Sequence, residues 1–314
     1  MLDGRSSDRV GIVGLGAIGA SIGLALGEAG VSVTGFDVSR MHLGQAVDMG
    51  AVERWVPDLQ SFGDCAEVVV AVPPRDVVAV ASELLRSTDA TIVDVASVKA
   101  EIVDAIRDPR FIPSHPLRGT HLTGPKAARS DLFDGGVWVL CPHETTSCRS
   151  LAAAEGLVRK MGSEPLWMSA REHDVLVATT SHLPHLAASG LVHVLGKRDP
   201  MACRLVSGGF LDTTRIARSN PQLWAEITMH NREEITGSID ELIELLAGVR
   251  TALAQQDHEG VVAFFSDACH LMDQGLPAPA PAKPQARHVR TSRRVQPLGG
   301  RHNSQVVTTV GDAN

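Results

Sequence analysis

Residues 9–19 read Arg-Val-Gly-Ile-Val-Gly-Leu-Gly-Ala-Ile-Gly. A short β-branched run, 9–13, feeds directly into glycines at 14, 16 and 19 and then into an amphipathic stretch, 17–29. In a strand–turn–helix each glycine has its own task. Gly14 makes the sharp turn, Gly16 lets the backbone approach a pyrophosphate, and Gly19 lets helix and strand pack closely. Leu15, Ala17 and Ile18 complete a loop whose backbone N–H groups and helix dipole favour phosphate. Asp37 closes the next run, 32–36, and lies 18 residues beyond Gly19. A carboxylate there accepts hydrogen bonds from both ribose hydroxyls and repels a 2′-phosphate, which favours NAD over NADP. Arg40, three residues on, could soften that choice by pairing with a phosphate.

The same alternation continues outward. Strand-like runs at 67–72, 91–95, 137–141 and 165–168 are separated by amphipathic stretches at 75–86, 99–107 and 146–161. Apolar strands joined by helices of this length predict a mostly parallel sheet with helices on both faces. We therefore expect an α/β, Rossmann-like dinucleotide-binding domain over residues 1–169. Ligands lie beyond the carboxyl ends of such strands, so Val72 and Pro73 are expected against the cofactor. From 170 to 273 the strand signal stops. Helical patterns run over 172–195 around Pro184, over 200–217, from the cap-like Asn220-Pro221, and over 239–272 with breaks. This all-helical domain is long and apolar enough to fit a two-fold subunit interface, so a homodimer is expected. Residues 274–314, Pro-rich and then Arg-rich, read as a disordered basic tail.

Composition narrows the function. The 314 residues carry a formal charge of -7, against a general nucleic-acid binder, and contain no Tyr. Proton transfer by tyrosine is thereby excluded. Five cysteines form no CxxC pair, which points to a reducing cytoplasm. No export signal and no uninterrupted apolar run of ~18 residues is visible.

Two more strand-end segments carry polar groups: Asp94-Val95-Ala96-Ser97-Val98-Lys99 and Ser114-His115-Pro116-Leu117-Arg118. A histidine near the nicotinamide end can take the proton of a hydroxyl whose carbon gives up hydride. Ser97 is also placed to cap the helix that follows it, and Asp174 to fix the start of its own helix. Trp224 and Phe210 read as core. His182 and His185 read as helix packing or site residues, and not as metal ligands, since no carboxylate or Cys set accompanies them.

Together, GLGAIGASIG, VDVASVK, SHPLRGTHLTGPKAARSDLFDGGVWVL, HDVLVATTSHLPH and FLDTTRIARSNPQLWAEI resemble the prephenate/arogenate dehydrogenase family of tyrosine biosynthesis. The resemblance spans about residues 9–270 and includes the helical part. It implies NAD-dependent oxidative decarboxylation of prephenate to 4-hydroxyphenylpyruvate and carbon dioxide, or of arogenate to tyrosine. It also implies His115 as base at the ring hydroxyl and Ser97 hydrogen-bonding that hydroxyl or His115. Arg215 would clamp a substrate carboxylate beside Thr214, and His182 and His185 would lie near substrate. Tyrosine as an inhibitor is part of the same expectation. Many members carry a small apolar residue and an acid where this chain has Arg118 and His121. Two competing readings are a β-hydroxyacid dehydrogenase, whose helical-domain lysine motif does not surround Lys197, and a non-enzymatic NAD sensor, which would need neither His115 nor Arg215.

Overall fold

The computed structural model describes residues 9–120 and 122–275; His121 and the tail expected beyond 275 lie outside the described residues. Chain order begins β1 (Arg9–Val13), α1 (Ala17–Glu28), β2 (Ser32–Phe36), α2 (Arg40–Asp48), β3 (Arg54–Trp55), β4 (Glu67–Val70), α3 (Pro74–Ser87), β5 (Thr91–Asp94), α4 (Ala100–Ala105) and β6 (Phe111–Ile112). These six strands form one parallel sheet in the order β3-β2-β1-β4-β5-β6. The order reverses between β1 and β4, the point at which doubly wound sheets open a crevice for ligands. Ile12, Val69 and Val93 fill one face of the sheet and Val13, Val70 and Ile92 the other, all buried. That two-sided burial explains why the strands read as unbroken apolar runs rather than as alternating ones.

The later strands depart from the single sheet that the runs at 137–141 and 165–168 suggested. β7 (Ser114–Pro116), β8 (Val137–Leu140) and β9 (Glu164–Trp167) form a second, three-stranded sheet, with β7 antiparallel and β9 parallel to β8. Pro113 lies between β6 and β7 and has no N–H to continue the parallel ladder. Its carbonyl instead accepts the N–H of Cys141 at 2.8 Å, turning the chain onto β8. α5 (Cys148–Lys160) connects β8 to β9.

The helical part follows with α6 (Ala170–Val177), a π-helical stretch Ala178–His182, α7 (Leu183–Gly196), α8 (Gly208–Thr214), α9 (Pro221–His230), α10 (Arg232–Ala254) and α11 (His258–Gly275). Ser169 caps α6 by accepting the Glu172 N–H, and Asn220 caps α9 by accepting those of Gln222 and Leu223. Pro184 sits just inside α7. A proline there removes an N–H and crowds the carbonyl four residues back, and the wider π turn before it accommodates both effects. By length and composition the run Ala170–Gly196 could cross a membrane, with a mean hydropathy of 1.2. Its His173, Asp174 and His182, however, are buried and hydrogen-bonded within the protein.

The described residues form two compact units that divide at Arg250, inside α10. The second consists of the end of α10 and α11, separated by a turn in which Gln256 takes φ 56°.

Candidate active site

Gly14 has φ 90°, and a Cβ on it would stand 2.4 Å from the Ala71 carbonyl oxygen. A Cβ on Gly19 would fall 1.9 Å from the Gly14 carbonyl oxygen. Both positions exclude any side chain. Around Gly16 the opposite holds: a Cβ would meet nothing within 4 Å, and no side chain caps α1 at this residue. The first N–H groups of α1 therefore face open space, and this cradle fits a dinucleotide pyrophosphate. Asp37 accepts hydrogen bonds from the N–H of Leu15 and of Ser39, each at 2.7 Å, so it ties the glycine loop to the end of β2. Val72 packs beside Gly14, and the exposed Pro73 caps α3 at the carboxyl end of β4. Arg40 is exposed at the start of α2.

Beyond the cradle lies a buried polar cluster on which β7 rests. Lys99 and Asp94 are both wholly buried and ion-paired, and Lys99 Nζ also donates to the Ser114 carbonyl at 2.7 Å. Asp94 accepts the N–H of Ala96 at 2.9 Å and that of Ser114 at 3.1 Å. Ser114 Oγ donates to the Asp94 carbonyl at 2.5 Å and accepts the Trp138 indole N–H at 2.9 Å. Every polar atom of Ser114 is thus engaged, which fixes the direction in which the next residue, His115, projects.

His115 is partly accessible, and its Nδ1 lies 2.9 Å from Nε2 of the fully buried His173. His173 Nδ1 lies in turn 2.7 Å from Asp174 Oδ1. Asp174 also accepts the N–H of Lys99 at 2.9 Å and that of Ala100 at 2.8 Å. Burial first, and then the neighbouring His173, Lys99 and His182, hold the His115 pKa well below 6.5.

A pocket of about 540 Å3 is lined by His185, Trp224, Ser189, His193, Ile216 and Met229. His185 stacks on Trp224, with ring centroids 3.5 Å apart, and donates from Nδ1 to the Ser181 carbonyl at 2.9 Å. Burial lowers its pKa, and the nearby Arg215 cation lowers it further. His182 Nδ1 accepts from the Asn231 amide at 3.3 Å, while its Nε2 is buried with no partner among the described residues. Burial brings the His182 pKa down to about 4. Arg215 is exposed and makes no ion pair among the described residues.

A sequence profile described as "Prephenate dehydrogenase, nucleotide-binding domain" matches residues 22–165, and one described as "Prephenate dehydrogenase, dimerization domain" matches 169–267. The chain belongs to the prephenate dehydrogenase family. Prephenate dehydrogenase of Bacillus subtilis (strain 168) is 31% identical over 287 residues, covering 87% of this chain and 77% of the relative. A crystal structure of A. aeolicus prephenate dehydrogenase in complex with hydroxyphenyl propionate and NAD+ superposes with a TM-score of 0.79 at 27% identity, covering 86% of this chain and 99% of that one. Synechocystis arogenate dehydrogenase gives a TM-score of 0.72 at 25% identity, covering 84% and 99%.

Within this prephenate dehydrogenase fold several sequence expectations shift. Ser97 makes no side-chain hydrogen bond among the described residues, and the partner of His115 is His173. Nor does Ser97 cap α4. That task falls to Asp174, reaching across from α6, while Ser169 starts the helix that Asp174 was expected to fix. Thr214 turns its hydroxyl back onto the Phe210 carbonyl at 2.7 Å. Trp224, expected in the core, lines the pocket instead. Lys99, His173 and Asn231 were not anticipated. The adjacent His173-Asp174 pair near the start of a helix was the only available signal, and sequence alone does not say that it faces β7.

Proposed function

We propose that this chain catalyses NAD-dependent oxidative decarboxylation of prephenate to 4-hydroxyphenylpyruvate and carbon dioxide in tyrosine biosynthesis. His115 carries the reading. A histidine whose pKa lies well below 6.5 is neutral at pH 7 and can act as a base. The Gly14–Gly19 loop, with Asp37, Val72 and Pro73 around it, would hold NAD, which would supply the acceptor for the hydride that leaves the hydroxyl-bearing ring carbon. His115 takes the hydroxyl proton as that carbon is oxidised. The bond to the ring carboxylate then breaks, carbon dioxide leaves, and the ring becomes aromatic with its oxygen as phenolate. His115 returns the proton, so no net proton is consumed. Aromatisation drives the step, and the protein's contribution is orientation.

Arg215, without an ion pair among the described residues, offers a forked cation to a substrate carboxylate, and His182 Nε2, buried without a partner among them, offers a second donor. His185, held against Trp224, lines the pocket. Ser97 and Thr214 complete the proposed site on family resemblance alone. Arogenate is the second reading, favoured by the likeness to the Synechocystis enzyme.

The proposal includes a homodimer in the cytoplasm, open to inhibition by tyrosine, which shares the phenol ring and carboxylate of the product. Exposed Leu191 and Val194 on α7 and Ile243, Leu245 and Leu246 on α10 support the dimer. Five unpaired cysteines support the compartment. A division into a nucleotide-binding part to residue 169 and a helical part over 170–273 rests on where the two family profiles meet.

The test is reduction of NAD and NADP followed with prephenate and arogenate side by side. His115→Asn is expected to abolish turnover and leave NAD affinity intact; normal turnover in that variant removes His115 from the mechanism.

A further inference from the structure

The contacts around His115 determine more than its position. Asp174 Oδ1 accepts from the Lys99 N–H, and its Oδ2 accepts from the Ala100 N–H. These backbone groups are obligatory donors, so both oxygens act as acceptors, as an ionised carboxylate's do. The close contact at 2.7 Å then requires His173 to place its proton on Nδ1. That leaves His173 Nε2 as a lone pair. His115 Nδ1, 2.9 Å away, is the donor to it, and His115 Nε2 is left bare. Hydrogen bonding at one ring nitrogen decides what the other can do.

We propose that Asp174 and His173 are positioning residues that lock His115 as its Nδ1–H tautomer and take over the charge when His115 Nε2 accepts the substrate proton. As the bond from the hydroxyl proton to oxygen breaks and that to His115 Nε2 forms, the Nδ1 proton of His115 moves to His173 Nε2. His173 becomes the imidazolium, in contact with the Asp174 carboxylate, and the reverse shift restores the proton to the phenolate. The two imidazoles, 2.9 Å apart, stand too close for both to be charged, so the pair holds a single extra proton. Among the described residues Lys99, ion-paired with Asp94, and His182 act on His115, and the Cys141 thiol, which feels Lys99, Asp94, Asp174 and Glu172, is pushed up to about 12 by burial and so is neutral. Asp174 is the carboxylate in contact with the relay. The arrangement also gives Asp174 two tasks at once, since the oxygens that anchor the relay cap α4. Motion of α6 against α4 would therefore break the cap and the relay together.

This inference rests on the proposed role of His115, so its tests are chosen to separate the two. His173→Gln sets an amide oxygen near the former Nε2, which can accept a hydrogen bond but cannot hold a proton. The expected result is a kcat lower by roughly 10²-fold, with KM for prephenate and Kd for NAD each within about twofold of the parent. The acid limb of kcat should shift, because the extra proton can no longer pass to a carboxylate-backed imidazole. A kcat within threefold of the parent overturns the relay. So does a loss of kcat with an unmoved acid limb, or one shared equally by KM and NAD binding, since those outcomes belong to a merely structural residue. The second measurement needs no turnover: 15N NMR of the histidine-labelled full chain at pH 7.5, with His115 assigned by difference against His115→Asn. Protonation at Nδ1 supports the relay and protonation at Nε2 refutes it, whichever substrate the enzyme accepts. Failure of the chain to oxidise prephenate or arogenate would sink the functional reading and leave the tautomer result standing.

Discussion

Replacing Lys99 with Met removes one half of a fully buried ion pair and keeps the length of the side chain. Asp94 would keep the Ala96 and Ser114 N–H groups, at 2.9 and 3.1 Å, but would lose the charged partner it has among the described residues. The Ser114 carbonyl would lose the donor now 2.7 Å away. Breaking a buried pair in this way costs about 3 to 5 kcal/mol, because the remaining carboxylate is neither solvated nor paired. At roughly 2 to 4 °C per kcal/mol for a body of this size, Tm should fall by roughly 6 to 20 °C. The loss carries a pH signature. Burial raises the Asp94 pKa above 3.8 and Lys99 opposes that shift, so without Lys99 the pKa climbs further. Between the unfolded and folded values the native state holds the proton and the unfolded state does not. Stability of the variant relative to the parent therefore falls as pH rises through that interval. Urea unfolding followed by circular dichroism at pH 5 and pH 7.5 should show a larger deficit at pH 7.5. The double variant Asp94→Asn/Lys99→Met should recover much of it. A deficit under 1 kcal/mol at both pH values, or a larger one at pH 5, would refute the reasoning.

Arg215→Ala should raise KM for prephenate by roughly 10- to 150-fold, the equivalent of a charge-assisted hydrogen bond of about 1.5 to 3 kcal/mol, with NAD affinity unchanged; an unaltered KM contradicts the clamp. Asp37→Ala should relax the preference for NAD over NADP, read as the ratio of kcat/KM values, and should also weaken NAD binding, since the loop loses its tie at the Leu15 N–H. A variant that still excludes NADP would place selectivity elsewhere. Because burial lowers the pKa of His115, of His185 and of His182, the last to about 4, unfolding takes up protons below pH 7. Stability should thus decline as pH falls, with His182 alone accounting for about 3 kcal/mol between pH 7 and pH 4. A urea midpoint that stays flat over that range would show these histidines to be solvated.

Much of this was legible from local pattern. The glycine spacing at 14, 16 and 19 and the Asp37 carboxylate needed only their position after a strand, because the constraints on them act within one strand–turn–helix. Asn220-Pro221 announced α9 for the same reason. The strands β3 and β7 escaped notice because two or three residues carry no periodicity. The antiparallel turn onto β8 depends on one missing N–H at Pro113. Ser97 was expected to bond the substrate hydroxyl or His115, and the fold sets His173 against His115 Nδ1, since hydrogen bonding between residues 58 apart leaves no trace in local pattern.

The sequence by itself determined the dinucleotide cradle, the parallel sheet, the helical second half and the presence of a histidine just beyond that sheet, because each depends on residues close together in the chain. Only the tertiary structure decided which groups tune that histidine. Lys99, His173 and Asp174 come from a strand-end loop and from α6, and burial makes their charges and hydrogen bonds consequential. The same residues at a solvated surface would be screened and exchangeable. Enclosed beneath β7, they fix where the proton of His115 resides.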